Sequence, residues 1–142
     1  MTGRHTRVLY YGLPLLTVQI IALTGCVFNQ NMQAVTDANE QFHRRLASGD
    51  YDAVYNDATD DFKKALSRDG ARAYLTRVSE TMGACGHAQI TNIAVNTGFS
   101  GVSISIKSHS ICTNGPLDES LVWMVRQRVI KLDSYVASSP LF

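Results

Sequence analysis

The sequence lacks an excess of charge of either sign, and it lacks the length for two full domains. Its 142 residues carry 13 Lys and Arg against 12 Asp and Glu, a formal net charge of +1. Nucleic-acid-binding domains typically have a basic surface and a pI above roughly 9, so no nucleic-acid partner is expected. Hydrophobic residues make up 45% of the chain and charged residues 18%. This composition excludes collagen-like, coiled-coil and disordered chains and is typical of one small globular domain.

Catalytic motifs are also missing. The sequence contains no Gly-x-Ser-x-Gly nucleophile elbow, no glycine-rich phosphate loop and no Cys–His nucleophile arrangement. His87 and His109 lack the H-E-x-x-H spacing of a metal-binding helix, and we expect them on opposite faces of a sheet. His43 is interpreted as a surface histidine. Asp118 and Glu119 are interpreted as the solvated start of a strand, with a pair of acids as the alternative. No catalytic residue, metal site or cofactor is therefore predicted.

Acidic residues are absent before Asp37, and the chain begins with a short basic segment that contains Arg4 and Arg7. From Val8 to Ala22 the chain is almost wholly apolar. This stretch is shorter than the roughly 20 residues that a membrane-spanning helix needs. A basic start followed by a short apolar stretch predicts a secretory signal peptide, with an uncleaved membrane anchor as the alternative.

The apolar stretch ends in Leu23-Thr24-Gly25-Cys26, which resembles a bacterial lipobox. The resemblance implies cleavage between Gly25 and Cys26 and attachment of fatty acyl chains such as palmitate to the new N-terminus. Stable membrane anchoring needs more than one chain. Val27 stands where an aspartate would indicate retention in the inner membrane. The expected location is the cell envelope, at the periplasmic face of the outer membrane. The predicted divisions are a signal peptide (1–25), a lipidated tether (26–33) and one domain (34–142).

The number of cysteines is odd, and lipid on Cys26 would leave Cys85 and Cys112 as a pair. An oxidising compartment favours a disulfide between them, whereas two cysteines fall short of the four ligands of a structural zinc site. The hairpin pattern supports the disulfide independently. If Asn96 faces Gly101 across a four-residue loop, the same register places Cys85 opposite Cys112. Opposed strand residues have Cβ atoms about 4.5–5.5 Å apart, near the spacing that a disulfide requires.

The pattern of apolar residues changes from helical to strand-like near Gly83. Before it, spacings of three and four residues predict helices over 29–47, from Asp50, from a Thr59 cap, and from Ser67 or Asp69 through Met82. After it, alternation predicts strands over 87–96, 101–111, 119–127 and 129–136. Asn114-Gly115-Pro116 predicts a turn. The expected fold is α+β, with N-terminal helices packed on one face of a four-stranded antiparallel sheet.

A set of packing residues extends over nearly all of the mature chain. These residues are Gly49-Asp50-Tyr51-Asp52-Ala53-Val54-Tyr55, Ala58, Phe62, Ser67, Val78, Gly83, Val95-Asn96-Thr97, Cys112, Gly115, Glu119, Val122-Trp123, Leu132 and Tyr135. The set resembles small bacterial lipoproteins whose domain is similar to the nuclear-transport-factor/ketosteroid-isomerase superfamily. The resemblance implies a curved sheet that the helices wrap into a cone. That superfamily contains enzymes and binding modules, so the fold alone does not decide function.

Trp123 and Tyr135 are candidates for lining the interior of such a cone, with ordinary core packing as the alternative. The expected function is that of a non-catalytic lipoprotein, held at the membrane through lipid on Cys26, that binds an envelope protein or a small apolar ligand. A cone-fold enzyme of isomerase or hydrolase type, acting on an envelope metabolite, is the first alternative. A structural role without any ligand is the second.

Overall fold

The computed structural model describes the backbone of residues 20–142 and the side chains of residues 30–142. Most of the predicted signal peptide and the side chain of Cys26 lie outside the described residues. The helices are α1 (Ile20–Ser48), α2 (Tyr51–Asn56), α3 (Asp60–Ala65) and α4 (Arg68–Met82). The strands are β1 (Gln89–Gly98), β2 (Gly101–Cys112), β3 (Gly115–Arg126) and β4 (Val129–Ser138). Among the described residues, no helix combines the length and hydropathy that crossing a membrane requires.

The helix ends follow local signals in the sequence. Thr59 accepts a hydrogen bond from the backbone N–H of Phe62 at 3.1 Å, and Ser67 accepts one from Gly70 at 3.1 Å. Each such cap contributes about 1 kcal/mol to helix stability. Both caps confirm the predicted helix starts. By contrast, α1 is already helical at Ile20, the first described residue, so the segment expected to be a tether lies within the helix.

The four strands form one antiparallel sheet in the order β1-β2-β3-β4. Along β3 every second residue from Leu117 to Val125 is buried, because successive side chains in a strand point to opposite faces. The helices pack on that buried face, which confirms the predicted α+β class. The largest fully buried side chains come from both layers: Val35, Leu75, Val78, Met82, Ile104, Ile106 and Leu121.

The predicted register of the first hairpin is wrong by two residues. Gly98 pairs with Gly101 across a two-residue turn, so Val95 lies opposite Ile104 and not opposite Val102. Position 101 requires glycine, because its φ is +126° and a Cβ there would lie 2.5 Å from the carbonyl oxygen of Val125 in β3. A β-bulge in β1 and the irregular segment before it absorb the difference.

Candidate functional site

A glutamate lies on the buried, otherwise apolar face of β3. Glu119 is only 4% exposed, whereas the side chain of its neighbour Asp118 is 71% exposed on the other face. The interpretation of both acids as a solvated strand start is therefore wrong for Glu119. It is also wrong to pair them, since adjacent residues of a strand point in opposite directions. The sequence did contain a signal: Leu117 and Leu121 flank Glu119 at the spacing of a buried strand face.

Two side chains from other elements hold the carboxylate. The hydroxyl of Tyr135 in β4 donates to Oε1 of Glu119 at 2.8 Å. Nε2 of His43 in α1 lies 3.0 Å from Oε2, and Nδ1 of the same ring lies 2.9 Å from the carbonyl oxygen of Asn39. An ionised carboxylate and a carbonyl are both acceptors, so both ring nitrogens donate and the imidazolium form fits this site. We call His43, Glu119 and Tyr135 the buried triad.

The interpretation of His43 as a surface histidine is wrong. Its side chain is 29% exposed and both of its ring nitrogens have partners within the protein. On its own helix His43 follows Phe42, a core residue, and this local sequence does not show that the ring reaches a strand. The contact with Glu119 joins positions 76 residues apart, so only the packing of α1 on the sheet creates it.

The triad changes the proton affinity of His43 and Tyr135. Burial alone would lower the pKa of His43, but the hydrogen bond and negative charge of Glu119, with the Asn39 carbonyl, outweigh it and raise that pKa above 6.5. Burial, together with the charge of Glu119, raises the pKa of the Tyr135 hydroxyl. Tyr135 is therefore a permanent donor to the carboxylate over the physiological pH range.

Stability should depend on the protonation of His43. Because the fold raises its pKa, the stabilisation should be complete below the unfolded value of about 6.5 and should disappear as pH rises through the folded pKa. Urea unfolding at pH values from about 5.5 to 9.5 measures this decrease in the free energy of unfolding. His43→Gln should remove this pH dependence of stability. His109→Gln, which replaces the exposed histidine beside Asp118, should leave it unchanged. Stability that rises with pH in this window would contradict the assignment.

Aromatic rings pack around the Tyr135 end of the triad, whereas the His43 side chain remains 29% exposed. The ring of Phe42 lies 4.8 Å from that of Tyr135 and 5.3 Å from that of His43, measured between centroids. The Tyr74 ring lies 5.8 Å from Tyr135 on another side. Tyr135 is 6% exposed. In the structure it is a core residue with a polar tip bonded to Glu119.

Trp123 borders a small cavity of about 70 Å³ between α1, α2 and the sheet. The cavity is lined by Ala38, Gln41, Phe42, Arg45, Val54, Asp57, Trp123, Ile130 and Leu132. Sites for small organic ligands typically measure about 300–1,000 Å³. Nε1 of Trp123 is buried and has no acceptor among the described residues. Glu119 and His43 do not line this cavity, so the triad and this cavity are in different places.

The structure joins Cys85 and Cys112 by a disulfide, with an S–S distance of 1.98 Å. Backbone hydrogen bonds lie on both sides of it: Gly86 donates to Ile111 at 2.9 Å, and Thr113 donates to Ala84 at 2.8 Å. The bridge ties the segment after α4 to the end of β2. Cys85 lies opposite Cys112 as predicted, although the register nearer the turn differs, because the bulge and the irregular segment compensate for the shorter turn.

The remaining candidates do not converge on one site. His109 Nδ1 lies 2.8 Å from Oδ1 of Asp118 on the exposed face of the sheet. His87 is exposed on the segment before β1. Within the described part of the chain, no three His, Cys, Asp or Glu side chains are grouped closely enough to hold a metal ion.

Chemically, the triad is a set of mutually hydrogen-bonded groups, and the small cavity is separate from it. Comparison with known proteins adds no identity: no family model and no curated protein sequence matches the chain. The chain's own residues therefore carry the argument for function.

Proposed function

We propose that the protein is a lipid-anchored lipoprotein of the bacterial cell envelope whose domain binds a protein partner and is not catalytic. The lipobox-like segment ending in Cys26, directly after a basic start and an apolar stretch, supports the anchor. With Val27 next to it, the proposed location is the periplasmic face of the outer membrane. The helices and curved sheet of a cone-like domain, similar to the nuclear-transport-factor/ketosteroid-isomerase superfamily, belong to the same proposal.

The observation that carries the non-catalytic assignment is the burial of Glu119 with both of its carboxylate oxygens bonded. Both carboxylate oxygens of Glu119 are engaged by protein groups, and its side chain is 2% exposed. A general acid or base must come within hydrogen-bond reach of a substrate proton. Glu119 lines neither of the two cavities described: the 70 Å³ cavity beside Trp123 is too small for an isomerase substrate, and a second cavity of about 470 Å³ lies elsewhere. The second cavity is lined mainly by polar and charged side chains such as Asp60, Lys64 and Arg126, which does not fit a small apolar ligand.

The surface offers more for binding than the interior does. All ten residues of β1 are exposed, among them Ile90, Ile93 and Val95. Exposed apolar side chains grouped on one element are typical of protein interaction sites. A protein partner therefore fits the molecule better than a ligand enclosed by the sheet.

The enzyme alternative rests on one observation, the presence of a histidine, an acid and a tyrosine in contact. It requires the triad to open to solvent. Hydrogen exchange at the His43 and Tyr135 segments distinguishes the two functions: exchange as slow as that of the core supports a structural triad, and fast local exchange favours an enzyme.

The anchor is tested by replacing Cys26 with Ala in the full chain, expressed in a bacterial host that has an outer membrane. We expect the variant to leave the membrane fraction, because the acceptor of the acyl chains is gone. As a matched control, Val27→Asp should stay membrane-bound but move to the inner membrane on a density gradient. If Cys26→Ala remains membrane-bound, the N-terminal segment is an uncleaved anchor and the lipobox assignment is wrong.

A further inference from the structure

Strand β1 extends the apolar face of the sheet beyond the area that the helices cover. Ile93 and Val95 are 43% and 37% exposed, whereas their cross-strand partners Ile106 and Ile104 are each 1% exposed. Directly opposed residues in neighbouring strands lie on the same face. The helical layer therefore ends over β2, and the same apolar face continues uncovered onto β1.

The two edge strands of the sheet differ in their hydrogen bonds to the rest of the domain. At the β4 edge, Thr59 donates its backbone N–H to the carbonyl oxygen of Leu132 at 2.8 Å, and Ala137 donates to the Tyr74 hydroxyl at 2.8 Å. At the β1 edge, no hydrogen bond joins the outer side of the strand to any other described segment. An unpaired edge is a template for another strand.

The β1 edge also lacks the usual protection against pairing. Natural edge strands carry lysines, prolines or inward-pointing charges. From Thr81 to Ile106 the sequence contains no Asp, Glu, Lys, Arg or Pro. One protective feature is present, the bulge between Ile90 and Asn92. Beyond it, Asn92–Gly98 is a regular strand that ends at the turn.

We propose that this regular part of β1 pairs antiparallel with β1 of a second copy of the chain, a proposal that rests on the protein-binding function above. In the proposed register a two-fold axis passes at Val95, so Val95 faces its own copy, Ile93 faces Thr97, and Ala94 faces Asn96. The apolar side chains Ile93 and Val95 of both copies then share one face of a continuous eight-stranded sheet.

Charge singles out a second copy as the partner. A two-fold axis at Val95 brings the residues nearest to it close to their own duplicates, so a charge there would lie near a like charge. The uncharged segment satisfies that requirement. A foreign partner is usually selected by complementary charge, and β1 offers none.

Membrane anchoring assists the pairing. The contact covers one short strand per copy, which is small beside the roughly 1,200–2,000 Å² of stable interfaces. Two copies anchored in one membrane are confined at a high effective concentration, so a weak contact is sufficient. The dimer should therefore form on the membrane and dissociate on dilution in detergent.

Cysteine crosslinking in intact cells tests the register with the full, lipidated chain. Oxidation of Val95→Cys should give a disulfide-linked dimer, since opposed Cβ atoms are about 4.5–5.5 Å apart. Thr97→Cys is the matched control on the same strand and face, because the register separates its two copies by about 14 Å. We expect at least fivefold more dimer from Val95→Cys than from Thr97→Cys. The parent chain gives the background yield of crosslinked dimer that comes from its own cysteines. Equal yields for the two variants would overturn the proposed pairing.

A photoreactive residue in place of Ile93 separates failure of this inference from failure of the proposed function. An adduct of twice the mass of the chain supports the second copy. An adduct with a different protein overturns self-pairing and leaves the partner-binding function standing. The absence of any adduct in membranes that contain the protein overturns both.

Discussion

Replacing Glu119 with Ala should lower the free energy of unfolding by about 3 kcal/mol. The loss has a specific cause: the Tyr135 hydroxyl is left buried without its acceptor, and the imidazolium of His43 loses its counter-charge. Removing one partner of a buried, hydrogen-bonded charge pair typically costs about 3–5 kcal/mol. Urea unfolding followed by circular dichroism at pH 6, where His43 is charged, measures the change.

Asp118 provides the matched control for that replacement. It is the adjacent residue, it also contacts a histidine at 2.8 Å, and its side chain is 71% exposed. Exposed ion pairs contribute about 0–1 kcal/mol, so Asp118→Ala should have little effect. If Glu119→Ala and Asp118→Ala lower the free energy of unfolding by similar amounts, burial does not explain the contribution of Glu119 to stability. Tyr135→Phe should cost less than Glu119→Ala, because it removes one hydrogen bond and leaves no unpaired charge.

Removing the disulfide should lower the free energy of unfolding by about 3–4 kcal/mol. Cys85 and Cys112 are 27 residues apart, and a covalent link over that separation restricts the unfolded chain. The loop closed by the bridge contains β1, which has no buried residue of its own. We therefore expect the loss to appear first as faster hydrogen exchange in β1.

The double replacement Cys85→Ser with Cys112→Ser separates the bridge from other effects of a reductant. Dithiothreitol should lower the unfolding midpoint of the parent chain and leave that of the double variant unchanged. If the reductant has no effect on the parent, or if non-reducing peptide mapping finds both thiols free, the bridge does not stabilise the native protein.

Local signals predicted the elements of this fold well because each depends on a few neighbouring residues. The Thr59 and Ser67 caps are examples, since the hydroxyl and the N–H that it accepts from are three residues apart. The hairpin register depended instead on the length of the turn, and the sequence allowed either four residues or the observed two. Because the error was an even number, the same side chains still faced the core. A bulge then restored the alignment of the cysteines.

The buried triad could be predicted only in part. The alternation of β3 places Glu119 on the apolar face, whereas the adjacent pair Asp118 and Glu119 favours the solvated start of a strand. No local pattern identified its partners. His43 belongs to the first helix and Tyr135 to the last strand, and they meet because α1 packs across the sheet. Such contacts are set by tertiary packing, which sequence periodicity does not describe.

The length of chain between the proposed anchor and the folded core limits how far this protein can work from its membrane. Met32 already packs against the core, and it follows Cys26 by six residues. Because α1 is helical through this interval, the separation is only about 9 Å along the helix axis. If the chain is anchored at Cys26 as proposed, the domain stays close to the membrane, and a partner would have to lie in the same membrane or come to its surface.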